Sequence, residues 1–449
     1  MGRKITLIGG GGVRTPLVIF GIHEAINALD ADELVLFDPD MERAHVMADL
    51  GRALVTNEGG TLRIRQAAAI EDAVAGADFV LNSIRVGGLQ ARVHDERVSL
   101  AHGYPGQETT GPGGVAMALR TVSVAVAQAK LVERLSPKAW IINFTNPAGL
   151  ITQAIKHNSN VKIVGICDTP SELLHQINLA LGAGPDEVRC DYVGLNHLGW
   201  VRRIHLRGQD VTDQLLSDDD FLRRIYHVSL FEPGLIRALR LIPTEYLYFY
   251  YSRRRALDNQ RKQNRTRGAE IESLGSNLFT RLAQHLREGD GTTAINAYVD
   301  YLNARSGTYM KLEGEGDTTP SAPEQLDPFL AATGYHRIAL EVMTALCGNK
   351  PRRLVVNTRN AGSIAEIDPD DIVEVPCLIG RDSITPEPCG ELPEAVRGLV
   401  LAVKAYERAA IEAALSGSEL LARKAMLLYP AIGEWEPSQE LLEQLIIHC

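Results

Sequence analysis

The 449-residue chain has little of what would take a protein out of the cell, into a membrane or onto nucleic acid. Cysteine is sparse. Cys167, Cys190, Cys347, Cys377, Cys389 and Cys449 stand singly along the sequence, which excludes the paired framework that staples small secreted domains. Basic residues are not in excess. The formal charge of −10 gives no footprint for a nucleic-acid backbone, and no nucleic-acid partner is expected. No apolar run reaches the roughly 18 residues of a membrane span, so no membrane partner is expected either. The apolar start of the chain breaks at four glycines, where a signal peptide would continue. Gly2 formally fits a lipidation pattern, but Lys4–Ile8 reads as a first strand. A cytoplasmic protein is the expectation.

What is present is a βαβ rhythm. Short apolar runs at Ile5–Ile8, Glu33–Phe37, Phe79–Ile84, Ala139–Phe144 and Val161–Cys167 alternate with helical stretches, the first over Pro16–Leu29. A glycine- and threonine-rich loop, "GQETTGPGG" (Gly106–Gly114), leads into a helix from Val115 to Leu135. From about Cys190 the pattern changes to the strand-like "CDYVGLNHLGWVRRIHL" and then a helix-rich region; Thr318–Pro328 reads as a loop. The fold class expected is α/β, a Rossmann-type parallel-sheet domain over residues 1–170 and a mixed α/β second domain over 171–449.

The first strand runs into "GGGGVRTP". Glycines there let the backbone approach a pyrophosphate beside a helix N-terminus. Gly9, Gly10, Gly11 and Gly12 are the candidate contacts, although Arg14 stands where the third glycine of G-x-G-x-x-G belongs. Asp38 closes the second strand, where an acidic residue would take the ribose hydroxyls of NAD. A tight turn with a structural aspartate would look the same.

Three further motifs fall at predicted strand ends, where open α/β sheets bind ligands. "NFTNPAG" places Asn146 before a proline, as a pocket amide or as an ordinary turn. "GICDTP" carries Cys167 and Asp168, and "GLNHLGW" carries His197 thirty residues on. One thiolate and one imidazole could hold a metal with positions left open for substrate oxygens. Equally, each could be a satisfied core residue, because a Cys–His pair this far apart is not a specific metal signature.

Taken together, "IGGGGVRTP", "IRVGGLQARVHDE", "GQETTGPGG", "NFTNPAG", "ICDTP", "GLNH" and "IVEVPC" resemble the NAD- and metal-dependent glycoside hydrolases of family 4, most nearly the 6-phospho-β-glucosidases. The resemblance implies a lactate/malate dehydrogenase-like architecture, bound NAD and a divalent metal, commonly Mn²⁺. It also implies hydrolysis by elimination rather than by the two-carboxylate displacement of most glycosidases. C3 of the sugar is oxidised, the C2 proton is removed, the aglycone leaves, water adds and the hydride returns.

By position the resemblance makes Cys167 and His197 metal ligands, Asn146, Arg92 and Glu108 substrate contacts, and Asp168 the leaving-group acid used in the α-specific branch. It makes Tyr246 of "LIPTEYLYFYYSRRR" the base, selected over Tyr248, Tyr250 and Tyr251 by the proline-x-x-Tyr-Leu pattern. Arg267 becomes a 6-phosphate contact. A phosphorylated glycoside is the implied small-molecule partner, and a homodimer or homotetramer the implied assembly. A 6-phospho-α-glucosidase, a hydrolase of unphosphorylated glycosides, an NAD-dependent 2-hydroxyacid dehydrogenase and a non-catalytic NAD-binding regulator are the alternatives.

Overall fold

The structure is a computed structural model that describes residues 2–226, 229–263, 265–306, 327–348 and 350–446. Of the expected loop at Thr318–Pro328, residues 318–326 lie outside the described residues.

Six strands form the parallel half of one sheet: β1 (Arg3–Ile8), β2 (Ala31–Phe37), β3 (Arg63–Gln66), β4 (Phe79–Asn82), β5 (Trp140–Asn143) and β6 (Lys162–Gly165). Their order is β3-β2-β1-β4-β5-β6, the doubly wound arrangement, and all pairs are parallel. Leu7, Leu36, Leu81, Ile142 and Val164 run side by side across this register and are fully buried. Continuous apolar strands of this kind are what a sheet covered on both faces requires. The order reverses between β1 and β4, and the crevice beyond their carboxyl ends is where such sheets bind ligands.

The sheet does not stop at β6. It continues through the antiparallel strands β7 (Val188–Leu195), β8 (Leu198–Leu206), β9 (Gln209–Asp210), β10 (Ile242–Pro243), β11 (Arg352–Arg359), β12 (Ile372–Gly380) and β13 (Ser383–Pro386). β11 lies against β6, followed outward by β12, β7, β8 and β10. The "CDYVGLNHLGWVRRIHL" segment is the tight β7–β8 hairpin, with Asn196 and His197 at its turn.

The expected helix over Pro16–Leu29 is two helices, Thr15–Glu24 and Ile26–Leu29, and the one expected from Val115 begins at Gly111. By length and composition alone the helix Gly111–Leu135 is apolar enough to cross a membrane, with a mean hydropathy of 1.5 over 18 residues. It is so apolar because it packs inside the molecule, against the helices Ala148–Asn158, Glu394–Ser416 and Trp435–Leu445. The five described cysteines are all free, as their scattering implied.

Candidate active site

Strand ends bring the candidate residues to one side of the sheet. β1 delivers Gly9–Gly12, β2 delivers Asp38, β5 delivers Asn146 and β6 delivers Cys167 and Asp168. At Gly9 (φ +89°) a Cβ would run into the Ser83 carbonyl oxygen, so only glycine lets β1 turn there. The Gly9 and Gly10 amides both donate to the Phe37 carbonyl at 2.9 Å. The Gly11 amide donates to the Asp38 carboxylate, also at 2.9 Å, and a Cβ at Gly11 would lie 3.0 Å from that carboxyl group. The glycine turn and Asp38 therefore form one cradle at the N-terminus of helix Thr15–Glu24. Its bare backbone and acidic rim suit a dinucleotide.

The loop "GQETTGPGG" reaches the hairpin from the other side. The Gln107 side-chain oxygen accepts from the Thr110 amide and from the Thr109 hydroxyl, both at 2.9 Å, and also from the Thr109 amide. Backbone donors on that atom fix it as the amide oxygen. The Thr109 hydroxyl thus donates its one proton to Gln107 and can only accept from His197 Nδ1, 3.0 Å away. Burial pushes the imidazole down to about 4, so it is neutral near pH 7 and carries its proton on Nδ1. Nε2 is left as a buried lone pair with no hydrogen-bond partner among the described residues. His197 itself sits at φ +60° in the hairpin turn.

The Cys167 thiol is buried, and burial, the Glu374 charge and the Asp168 charge together hold its pKa well above the usual range. A thiol in that setting loses its proton to solvent only when a strong cation beside the sulfur stabilises the thiolate. Among the described residues no group of three or more His, Cys, Asp or Glu side chains forms a metal cage. What fits a divalent metal is the two-ligand arrangement: a bare imidazole Nε2, and a thiol that needs a cation to ionise.

Tyr246 lies in a short 3₁₀ turn, Glu245–Leu247, and its ring stacks on His197 at 3.8 Å and 5°. Burial, reinforced by the charges of Glu245 and Glu108, keeps the phenol protonated far above its ordinary value. Ionising it requires a new positive charge beside it.

Glu108 is paired with Arg85 and, at 3.0 Å, with Arg92. Although burial disfavours its charge, the two guanidinium groups hold its pKa far below the carboxylate range. Arg92 in turn binds Glu96 at 2.7 Å, and Glu96 accepts the Gly268 amide at 2.7 Å. Alternating charges therefore run from Arg85 to Glu96, and each buried charge has its counterpart.

In "NFTNPAG" the two asparagines divide the labour. Asn143 is fully engaged, bonding Asn82, the Ala148 carbonyl and the Thr152 hydroxyl. Asn146, before a cis proline, has a buried side-chain oxygen with no partner among the described residues. Asp168 opens the helix Asp168–Leu181, and burial raises its carboxyl pKa even though Arg14 lies near. The Arg14 guanidinium stands 4.2 Å over the Tyr335 ring, and the Tyr335 side chain also bonds Asp168. Arg267 is committed to Glu270 at 2.6 Å and to the Arg305 carbonyl at 2.8 Å, so it braces the end of helix Gly291–Ser306. Arg265 is exposed.

The residues from 4 to 182 match the description "Family 4 glycosyl hydrolase", and residues 192–432 match "Family 4 glycosyl hydrolase C-terminal domain". The chain belongs to glycoside hydrolase family 4. It is a glycosidase, and the dehydrogenase and regulator alternatives fall away. A probable 6-phospho-beta-glucosidase of Bacillus subtilis is 32% identical over 99% of this chain and 96% of its own length.

Among solved structures, the 6-phospho-beta glucosidase of Thermotoga maritima with manganese, NAD⁺ and glucose-6-phosphate is similar at TM-score 0.81 and 27% identity, covering 99% of this chain and 98% of that one. A 6-phospho-alpha-glucosidase from gut microorganisms, with NAD and glucose-6-phosphate, gives TM-score 0.84 and 26% identity over 100% and 98%. Lactate dehydrogenase of Eimeria maxima, at 16% identity and TM-score 0.51 over 93% and 96%, shares the fold.

Sequence reading alone missed Gln107, Thr109, Arg14, Tyr335, Asn196 and Glu374 at the site. The "GQETTGPGG" and "IVEVPC" motifs were the available signal for three of them.

Proposed function

We propose that this family 4 enzyme hydrolyses 6-phospho-β-glucosides, with NAD held over Gly9–Gly12 and Asp38 and a divalent metal, Mn²⁺ by preference, held by Cys167 and His197. Bound there, NAD supplies a reversible hydride acceptor and the metal a Lewis acid for the sugar oxygens. The observation that carries the reading is the buried His197 Nε2, a bare lone pair on a ring stacked against Tyr246.

The chain's own residues then have distinct tasks. Arg92, Glu108 and the unpartnered Asn146 oxygen hold sugar hydroxyls, and Arg267, oriented by Glu270 and the Arg305 carbonyl, is the 6-phosphate contact. Tyr246, stacked on His197, takes the C2 proton as phenolate and exchanges it with solvent. Asp168 delivers a proton to the departing glycosidic oxygen. Because oxidation and re-reduction cancel, the net reaction is hydrolysis.

One observation favours the α-anomer as a second reading. Asp168, which by resemblance is the acid of the α-specific branch, is half-buried at the site, and burial raises its carboxyl pKa.

The test incubates the enzyme with p-nitrophenyl 6-phospho-β- and α-glucosides, with and without NAD⁺ and Mn²⁺. Release of nitrophenol from the β substrate that needs both additions, with deuterium from solvent entering at C2, is the expected result. Turnover indifferent to both additions overturns the reading, and preference for the α substrate selects the second one. Tyr246→Phe is expected to lower kcat by about 10²–10⁴ and to abolish deuterium entry.

A further inference from the structure

Four strands place one row of residues beneath the metal-ligand positions. Gly165 of β6 pairs with Asn357 of β11, Asn357 pairs with Glu374 of β12, and Glu374 pairs with Gly194 of β7. Cys167 lies two residues beyond Gly165, and His197 three beyond Gly194. Glu374 is therefore central between the two chain segments that carry the ligands, and it is 1% exposed.

Its carboxylate receives three donors. Tyr192 donates its hydroxyl at 2.6 Å, Asn357 its amide at 2.9 Å and Asn196 its amide at 3.1 Å. No arginine, lysine or histidine among the described residues forms an ion pair with it. Three donors to one buried carboxyl favour its charged form, but burial without a cation outweighs them and pushes its pKa up to about 7. The charge of Glu374 is also felt at the Cys167 sulfur. A buried carboxylate with hydrogen bonds but no counter-ion points to a positive charge that arrives from outside the chain.

The same carboxylate also fixes geometry. Asn196, immediately before His197, donates to Glu374 and accepts the Gly149 amide at 3.3 Å. Gly149 itself leaves no room: a Cβ there would lie 2.9 Å from the Asn196 Cβ. Glu374 thereby anchors the hairpin turn that aims His197 and ties it to the helix following Asn146.

We propose that Glu374 is a positioning residue of the metal centre, holding the Asn196–His197 turn and presenting a carboxyl group whose negative charge a divalent cation would complement. The inference rests on the reading that Cys167 and His197 hold the metal.

Mn²⁺ binding to the full chain, measured by titration calorimetry with NAD⁺ binding as an internal control, tests it. Glu374→Gln is expected to weaken Mn²⁺ binding at least about tenfold, the usual cost of losing an outer partner of a metal ligand, while NAD⁺ affinity stays unchanged. Glu374→Asp, which keeps the charge, is expected to recover part of the loss. Mn²⁺ is also expected to raise the thermal midpoint of the wild type more than that of Glu374→Gln. If Glu374→Gln does not fold, Asn196→Ala is read in its place, with weaker Mn²⁺ binding and normal NAD⁺ binding expected. Mn²⁺ affinity within about twofold of wild type in the folded variant overturns the proposal and leaves the metal reading standing. Failure of the wild-type chain to bind Mn²⁺ overturns both.

Discussion

The decisive residue is His197, and its character is set by Thr109, its hydrogen-bond partner. Thr109 spends its hydroxyl proton on Gln107, so it accepts from Nδ1 and leaves Nε2 bare. Valine at position 109 would keep the volume but remove the acceptor. The imidazole would then lose the bond that selects its tautomer and its ring orientation. Thr109→Val is therefore expected to weaken Mn²⁺ binding by about 10- to 100-fold with NAD⁺ binding unchanged, measured by calorimetry on the same preparations. Unchanged Mn²⁺ affinity would show that the tautomer does not depend on this bond. None of this was legible in "GQETTGPGG" alone. The loop and the histidine are 88 positions apart, and only the folded chain puts a hydroxyl between an amide oxygen and an imidazole. The stack of Tyr246 on His197 was hidden for the same reason, although the pattern around Tyr246 did select it among four neighbouring tyrosines.

Among the elements, strands were easier to read than their neighbours. β1, β2, β4, β5 and β6 appear in the sequence as apolar runs because both sheet faces are covered there. β3 was missed, since "RIRQ" at the sheet edge buries only Ile64 and its charged residues break the run. β11 and β12 join the sheet from about 200 residues downstream of β6, and nothing local marks them as neighbours of the strands that lead to Cys167 and His197. That is why Glu374 was visible only as part of a motif.

The helix Tyr335–Cys347 carries a second consequence of burial. His336, near its start, is 5% exposed, and its Nε2 has no partner among the described residues. Burial, with Arg337 and Arg14 nearby, lowers its pKa to about 4 from an ordinary value of about 6.5. The folded state thus favours neutral imidazole. This contribution to stability is fully present above about pH 6.5 and is lost as the pH falls toward 4, because the unfolded chain takes up the proton first. Between pH 7 and pH 5 the loss amounts to about 2 kcal/mol. His336→Asn is expected to remove that part of the pH dependence, read as the difference in guanidinium unfolding between wild type and variant at the two pH values. An unaltered difference would assign the acid sensitivity to other groups.

At the scale of the whole molecule, the two functional halves suggested by composition are joined by one sheet. β11 hydrogen-bonds directly to β6, so the edge of the parallel half is an interior position of the complete sheet. Asp382, in the turn between β12 and β13, receives both the Trp140 indole N–H at 2.7 Å and the Lys162 ammonium at 2.6 Å, so the second half also grips the ends of β5 and β6. On one face the apolar helix Gly111–Leu135 is covered by the helices Glu394–Ser416 and Trp435–Leu445. Separating the halves would therefore expose an unpaired strand edge and a long apolar helix face together, the two features that most promote self-association. A fragment ending at residue 182, where the first family match ends, contains the whole glycine turn and Asp38. Even so, it is expected to accumulate as aggregates, or as oligomers that bind NAD⁺ weakly, when examined by size-exclusion chromatography with light scattering and by calorimetry. A monodisperse monomeric fragment with the NAD⁺ affinity of the full chain would show that the cofactor half is self-sufficient. On the geometry of the sheet it is not: the strand end that carries Cys167 and Asp168 is held from the side by residues 352–386, so the proposed metal-ligand position at Cys167 and the glycine turn are shaped by the same continuous sheet.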